Sequence, residues 1–289
     1  MIDLHTHTIA SDGTYSPEEL IKYAIQKNLT AISITDHDTI DGLKPAINYM
    51  KANNITPDQL QLINGIELST NIPKYNFDIH IIGLFINPDD PTFINRLSSV
   101  IDDRTRRNTK MLSLIQRAGY DLSLKDVTDY SKDSVVTRSH FAKVLVMKGY
   151  FNDTNEVFAK LIGNGKPAYV PREDVHAKFG IELIKNSGGI PIIAHPTLYG
   201  LDSNGLYGLI DELKGYGLAG IESYYSLYTK QQTKAMKHIA SRFKLLEVGG
   251  SDFHGANKIG NDLAVGHGNL NVPDELLVHL QDYLNSNKK

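Results

Sequence analysis

The 289-residue chain reads as an α/β protein: a closed or nearly closed barrel of seven strands with a helical insertion. Three observations carry this reading. Short apolar runs bounded by turn residues alternate with longer segments of helical period, the pattern of a largely parallel sheet. The runs number seven, with too many interruptions and too few residues for two separate doubly wound domains. From about Phe93 to Ala168 only helical patterns and turns occur, which reads as an insertion between two barrel strands.

The first strand is expected over Asp3–His7, where alternation places His5 and His7 on one face. A helix follows: Ser16 is a good N-cap, Pro17 suits the first helical position and Glu19 completes a capping box. Leu20, Ile21, Ala24 and Ile25 supply its apolar stripe. Further strands are expected at Ala31–Thr35, Leu60–Leu68, Phe77–Ile86, Ile190–His195, Leu218–Ser223 and Leu245–Asp252. Helices are expected at Asp41–Asn53, Asp174–Ser187, Asn204–Gly215, Thr229–Phe243 and from Pro273 to Leu284. Within the insertion, "DDRTRRNTKMLSLIQRAGY", "TRSHFAKVLVMKGY" and "DTNEVFAKLIG" each read as a helix. The division is therefore a barrel of residues 1–92 and 169–289 and an insertion of 93–168.

Composition narrows the function classes. The net charge is −3, without the basic excess of a general nucleic-acid-binding surface, so no stable DNA partner is expected. A run of about 18 apolar residues is missing and the start lacks a signal-peptide pattern, so a cytoplasmic protein without membrane contact is expected. Cysteine is absent, which excludes disulfides, a thiol nucleophile and thiolate metal sites. The oligomeric state is not legible.

The ionisable residues fall at strand ends. His5 and His7 end the first strand and Asp12 lies in the loop after it; Asp36, His37 and Asp38 end the second, and Glu67 ends the third. His80 lies in the fourth, His195 ends the fifth, and Asp252 and His254 follow the seventh. In a parallel barrel the C-terminal strand ends share one mouth, where these residues would converge. Taken singly, a histidine at a strand end is ordinarily a hydrogen-bonded polar group, and an aspartate there a turn residue. Six of the 11 histidines and three carboxylates together are another matter, because burying them without a counter-charge is costly. Nitrogen and oxygen donors suit Mn²⁺, Fe²⁺, Zn²⁺ or Mg²⁺. Nine ligands are too many for one ion, so two or three ions are expected, with Glu67 or an aspartate bridging.

In this order, "DLHTHTIASDGTYSPEEL", "SITDHDTIDGL", "GIELS", "IHIIG", "AHP" and "GGSDFHG" resemble the PHP (polymerase and histidinol phosphatase) family, along almost the whole chain. The resemblance implies a distorted (β/α)7 barrel around a metal centre that is catalytic. It implies one ion on His5, His7, Glu67 and Asp252. Glu67 would bridge to a second on His80 and His195, and Asp12, His37 and His254 would hold a third. Asp12 decides whether two or three ions bind, and Mn²⁺ is the first choice.

The insertion is similar to that of PHP phosphoesterases acting on nucleotides. "RTRRN", "TRSHFA" and "GKPAYVP" supply candidate phosphate contacts in Arg104, Arg107, Arg138, His140 and Lys166. A guanidinium fork matches two phosphate oxygens, while a solvated helix face is the plainer reading of Arg104 and Arg106. Arg138 opens a helix whose free N–H groups also favour an anion. Where some relatives have Arg after "AHP" this chain has Leu198, and Lys166 or Lys258 could supply that contact. In "IESYYS", Tyr224 or Tyr225 could stack on a base or simply pack. The resemblance implies hydrolysis of nucleotide phosphate esters by in-line attack of a metal-activated hydroxide. The substrate would be a nucleoside 3′,5′-bisphosphate or the 5′ end of short RNA. The alternatives are a histidinol-phosphate phosphatase and a structural metal-binding module.

Overall fold

In the computed structural model, which describes residues 1–132, 134–172 and 175–287, β1 (Ile2–Thr6) leads into α1 (Pro17–Gln26). The expected cap is formed: Ser16 and Glu19 exchange side-chain and backbone hydrogen bonds at 3.2 and 2.8 Å. Then come β2 (Ala31–Ile34), α2 (Leu43–Ala52), β3 (Gln61–Thr70) and β4 (Ile79–Leu84). A helical stretch follows: α3 (Pro91–Arg117), α4 (Leu124–Ser131), α5 (Arg138–Met147), α6 (Thr154–Val157) and a π-helical turn over Phe158–Ile162. The chain returns through α7 (Ala177–Asn186), β5 (Ile190–Ile193), α8 (Ser203–Tyr216), β6 (Gly220–Tyr225), α9 (Lys230–Phe243), β7 (Leu246–Gly250) and α10 (Glu275–Ser286).

The seven strands lie in one sheet in chain order. The sheet curls into a nearly closed barrel. The seam between β1 and β7 is held at its mouth end, where His7 N donates to Phe253 O at 2.9 Å and Asp252 N to His5 O at 2.8 Å. One expectation needs correction. β4 runs antiparallel to both β3 and β5, so the strands do not all present their C-terminal ends to the mouth. The cause is the short link of residues 71–78, which turns the chain back as a hairpin where a parallel pairing needs a crossover of a dozen residues or more. His80 reaches the mouth because it stands near the start of β4. Within 91–162, α4 was not read from the sequence, and α3 extends well N-terminal of the charged segment, from an Asp90 cap.

The core has two layers. Ile32, Ile34, Ile66, Leu68, Ile81 and Ile221 point outward and pack under α1, α2, α7, α8 and α9. Ile2, Leu4, Ile63, Ile82, Ile192 and Val248 form a second cluster with Leu276, Leu277 and Leu280 of α10. Pairing slips between Asp3 and Thr6 of β1, a β-bulge. It allows Ile2 and Leu4 to join this apolar cluster while His5 and His7 project to the mouth. A third cluster, including Met111, Ile115, Val127, Phe141, Leu145 and Leu161, belongs to the helices between β4 and β5.

Candidate metal centre

Strand ends present the polar groups, and backbone geometry aims them. Asp38, His195 and Asp252 take left-handed φ values of 55°, 32° and 54°. Asp and His tolerate this region better than most side chains, and such strain clusters at functional sites. Gly250 admits no side chain, because a Cβ there would meet His5 Cβ at 2.4 Å and His5 N at 2.5 Å. The "GGSD" turn can therefore lay Asp252 directly beside β1.

All nine candidate ligands meet at this mouth, with Glu67 at the centre. Its Oε2 lies 3.0 Å from His37 Nδ1, 3.3 Å from His7 Nε2 and 3.4 Å from His5 Nε2. Its Oε1 lies 2.9 Å from His80 Nδ1 and 3.1 Å from His195 Nε2. Asp252 Oδ1 is 3.3 Å from His7 Nε2, 3.5 Å from His5 Nε2 and 3.3 Å from His254 Nδ1. Asp12 Oδ1 is 3.2 Å from His254 Nε2, 3.9 Å from His37 Nε2 and 4.0 Å from His7 Nδ1. Three sets hold donor atoms mutually within 4.8 Å: His5, His7 and Glu67; His37, Glu67 and His80; and His7, Asp12, His37 and His254.

The donors fit divalent ions for a physical reason. His5 Nε2, His7 Nε2, His37 Nδ1, Asp12 Oδ1 and Glu67 Oε2 are buried without a hydrogen bond, though they crowd together. Buried polar atoms are nearly always satisfied, so a set of orphans aimed at a common space fits metal ions. Charge agrees. Burial would raise the carboxyls of Glu67, Asp12 and Asp252. The histidines around them, with Lys258 foremost at Asp252, hold all three well below the usual range. Burial also opposes charge on His5 and His7. Asp252, Glu222 and Glu67 nevertheless raise His5 well above its ordinary value, and the Asp252 and Glu67 carboxylates beside it lift His7 to about 9. Burial keeps His37 and His254 low.

A model of the PHP domain matches residues 3–247. The chain belongs to the PHP family. It is a metal-dependent phosphoesterase, on the strength of that match, the donor clusters and its relatives. Among them, a 5′-3′ exoribonuclease of Haemophilus influenzae is 34% identical over 252 residues, which is 87% of this chain and 89% of the relative. A 3′,5′-nucleoside bisphosphate phosphatase of Chromobacterium violaceum is 30% identical over 267 residues, 92% of this chain and 90% of the relative. The crystal structure of a protein from Bifidobacterium adolescentis superposes with a TM-score of 0.82 at 25% identity. That match covers 97% of this chain and 95% of the other.

Two supports of the PHP centre, Glu222 and Asp36, were not assigned roles from the sequence, whereas Tyr225 and Lys258 were read as candidate base and phosphate contacts. Glu222 in β6 is fully buried; its Oε1 meets His5 Nδ1 at 3.0 Å and its Oε2 accepts from His195 N at 2.7 Å. Its place at a strand end in "IESYYS" was the available signal. Asp36 accepts from Thr8 N, Thr8 Oγ1 and Ser11 Oγ at 2.6–2.7 Å, fixing the loop that carries Asp12. Tyr225 packs: it is buried and donates to Asp252 Oδ2 at 2.8 Å. Lys258 Nζ pairs with the same oxygen.

The candidate phosphate contacts divide. Arg104, expected to face phosphate, is buried and closed onto Asp38 Oδ2 and Ser69 Oγ, because α3 packs its face against the β2 and β3 ends. Arg106 is on the outer face of α3, 56% exposed. Arg107 is buried, donating to Asp78 Oδ2 at 2.8 Å and Val170 O at 2.6 Å. Arg138 lies 3.3 Å from the same Asp78 oxygen and is 19% exposed, while Tyr169 donates to Asp78 Oδ1 at 3.1 Å. His140 is buried and accepts from Thr137 N at 3.1 Å, and Thr137 Oγ1 donates to Asp12 Oδ2 at 3.1 Å. Lys166 is exposed. Nothing in the sequence singled out Asp78, an acid just ahead of a strand.

Proposed function

We propose that this phosphoesterase hydrolyses phosphate esters of nucleotides, as a nucleoside 3′,5′-bisphosphate phosphatase or a 5′→3′ exonuclease on short RNA. One observation carries the reading. Thr137, the N-cap of the helix opened by Arg138, donates to Asp12 of one donor cluster, and Arg138 itself lies against Asp78, two residues before His80, so a metal centre and a partly exposed guanidinium share one mouth. Two relatives of about the same length, acting on RNA and on nucleoside bisphosphates, support the nucleotide class.

Two or three divalent ions fit, Mn²⁺ as the first choice. His5, His7, Glu67 and Asp252 would hold one; Glu67, His80 and His195 a second; and Asp12, His37 and His254 a third. When bound, the ions supply an acidified water and Lewis acidity toward phosphoryl oxygens. The chain's own groups do the rest. Arg138 and Lys166 take the non-bridging oxygens of the substrate. Arg107 is held behind Arg138 by Asp78, and Thr137 orients Asp12. Glu222 fixes the tautomer and direction of His5, as an outer partner does for a ligating imidazole. The helices of residues 93–168 thus act as the phosphate-binding subdomain, with His140 buttressing the Thr137 turn.

Product analysis tests the reading. With Mn²⁺, a nucleoside 3′,5′-bisphosphate and a 5′-phosphorylated short RNA are offered side by side. Release of phosphate from the first identifies the phosphatase; stepwise mononucleotides from the second identify the exonuclease. Turnover of histidinol phosphate with neither nucleotide substrate cleaved would sink the reading.

A further inference from the structure

Four large apolar side chains stand exposed on loops that follow strands at the mouth. They are Ile9 after β1, Leu198 after β5, Leu227 after β6 and Ile259 after β7, exposed by 51, 52, 55 and 91%. The sheet order and the β1–β7 seam make β5, β6, β7 and β1 consecutive around the barrel. The four therefore lie along one arc of the rim. Each is close in the chain to the metal centre. Ile9 is two residues past His7, and Leu198 three past His195. Leu227 is two past Tyr225, and Ile259 adjoins Lys258; both of those neighbours bind Asp252. Near β4 the mouth is instead cationic, with Arg107 and Arg138 gathered on Asp78.

Single exposed aliphatic residues are ordinary and need no explanation. Four on consecutive loops beside a highly polar centre are a pattern. We infer that this arc is the nucleobase subsite of the enzyme, an inference that rests on the nucleotide reading above. A phosphate held between the metal centre and Arg138 leaves the rest of a nucleotide to extend across the rim. A base offers two apolar faces, and packing them on aliphatic side chains removes area from water. Aliphatic faces read no hydrogen-bonding edge. The subsite therefore accepts all four bases, with a modest preference for the larger purine ring.

The test is calorimetric binding to the Mn²⁺-loaded full chain, which needs no turnover. Adenosine 5′-monophosphate and ribose 5-phosphate are compared on wild type, on Leu198→Ser, Leu227→Ser and Ile259→Ser singly, and on the triple variant. Serine removes the apolar surface without adding charge near the phosphate. Wild type is expected to bind the nucleotide at least about tenfold more tightly than the sugar phosphate, and each single change to lower that ratio about threefold. The triple variant is expected to abolish most of it, and Leu198→Met to restore the Leu198 contribution. Thermal melts establish that the variants fold. Equal affinities in wild type, or an unchanged ratio in the triple variant, would overturn the inference. So would a triple variant that alters only the sedimentation coefficient, which would mark the arc as a contact between copies of this chain. The nucleotide reading fails separately, through the product analysis above.

Discussion

Glu67 and Glu222 are both buried carboxylates, and they do different work. Glu67 offers both oxygens to five imidazoles and stands in two of the three donor sets. Glu67→Gln halves its acceptor capacity and removes the charge shared by two of the donor sets. It is expected to lower the metal bound per chain by at least one ion, read by elemental analysis. It should cost about 10³-fold or more in kcat, the several kcal/mol that Lewis-acid stabilisation supplies. Glu222 touches His5 and the His195 backbone and acts through them. Glu222→Gln is expected to weaken Mn²⁺ binding about 10- to 100-fold while kcat recovers at saturating Mn²⁺. A purely structural Glu222 would move the unfolding midpoint and leave the Mn²⁺ dependence alone. The ligands themselves were legible because strand ends and histidines coincide along the chain. Their outer partners were not, since an isolated Glu or Asp at a strand end looks the same whether it orients a ligand or caps a turn.

At the scale of elements, one ion cluster ties the helices between β4 and β5 to the sheet. Asp38 at the end of β2 receives Arg104 from α3 and Arg172 from the segment returning to α7. Arg172 also donates to Asp103 Oδ2 at 2.6 Å and to Val100 O at 3.2 Å, and it is fully buried. Arg172→Met leaves Asp103 short of its partner inside the protein, so urea unfolding is expected to report a loss of about 3–5 kcal/mol. Adding Asp103→Leu should recover part of it, because a neutral pair of similar volume no longer buries an unpaired charge. If the single and double variants unfold together at the wild-type midpoint, the cluster contributes nothing. Arg172 gave no sequence signal: it lies outside any periodic segment and its partners are 69 and 134 residues away. Strand positions, by contrast, were legible to within a few residues, since buried runs of Ile and Leu bounded by turns have few other readings. The direction of β4 was not. Apolar pattern carries no sign, and only the shortness of the 71–78 link forces the reversal.

For the whole molecule, the mouth is a concentration of unsatisfied donors set on an apolar plug. Folding must bring together six imidazoles and three carboxylates, several with buried atoms that make no hydrogen bond. That arrangement exists only in the folded chain, so ions that bind it stabilise the fold by mass action. At a free concentration 100 times the dissociation constant, each site adds about 2.7 kcal/mol. For a chain of this size 1 kcal/mol moves the melting temperature by roughly 2–4 °C. Exhaustive chelation is therefore expected to lower Tm by about 5–10 °C per ion lost, and added Mn²⁺ to restore it in a saturable way. Glu67→Gln should blunt that response. Asp12→Asn should remove only the share of a third ion, and the size of its effect therefore counts the ions. A melt that neither chelator nor Mn²⁺ moves would mean the cluster is satisfied by the protein alone, and the metal assignment would fall with it.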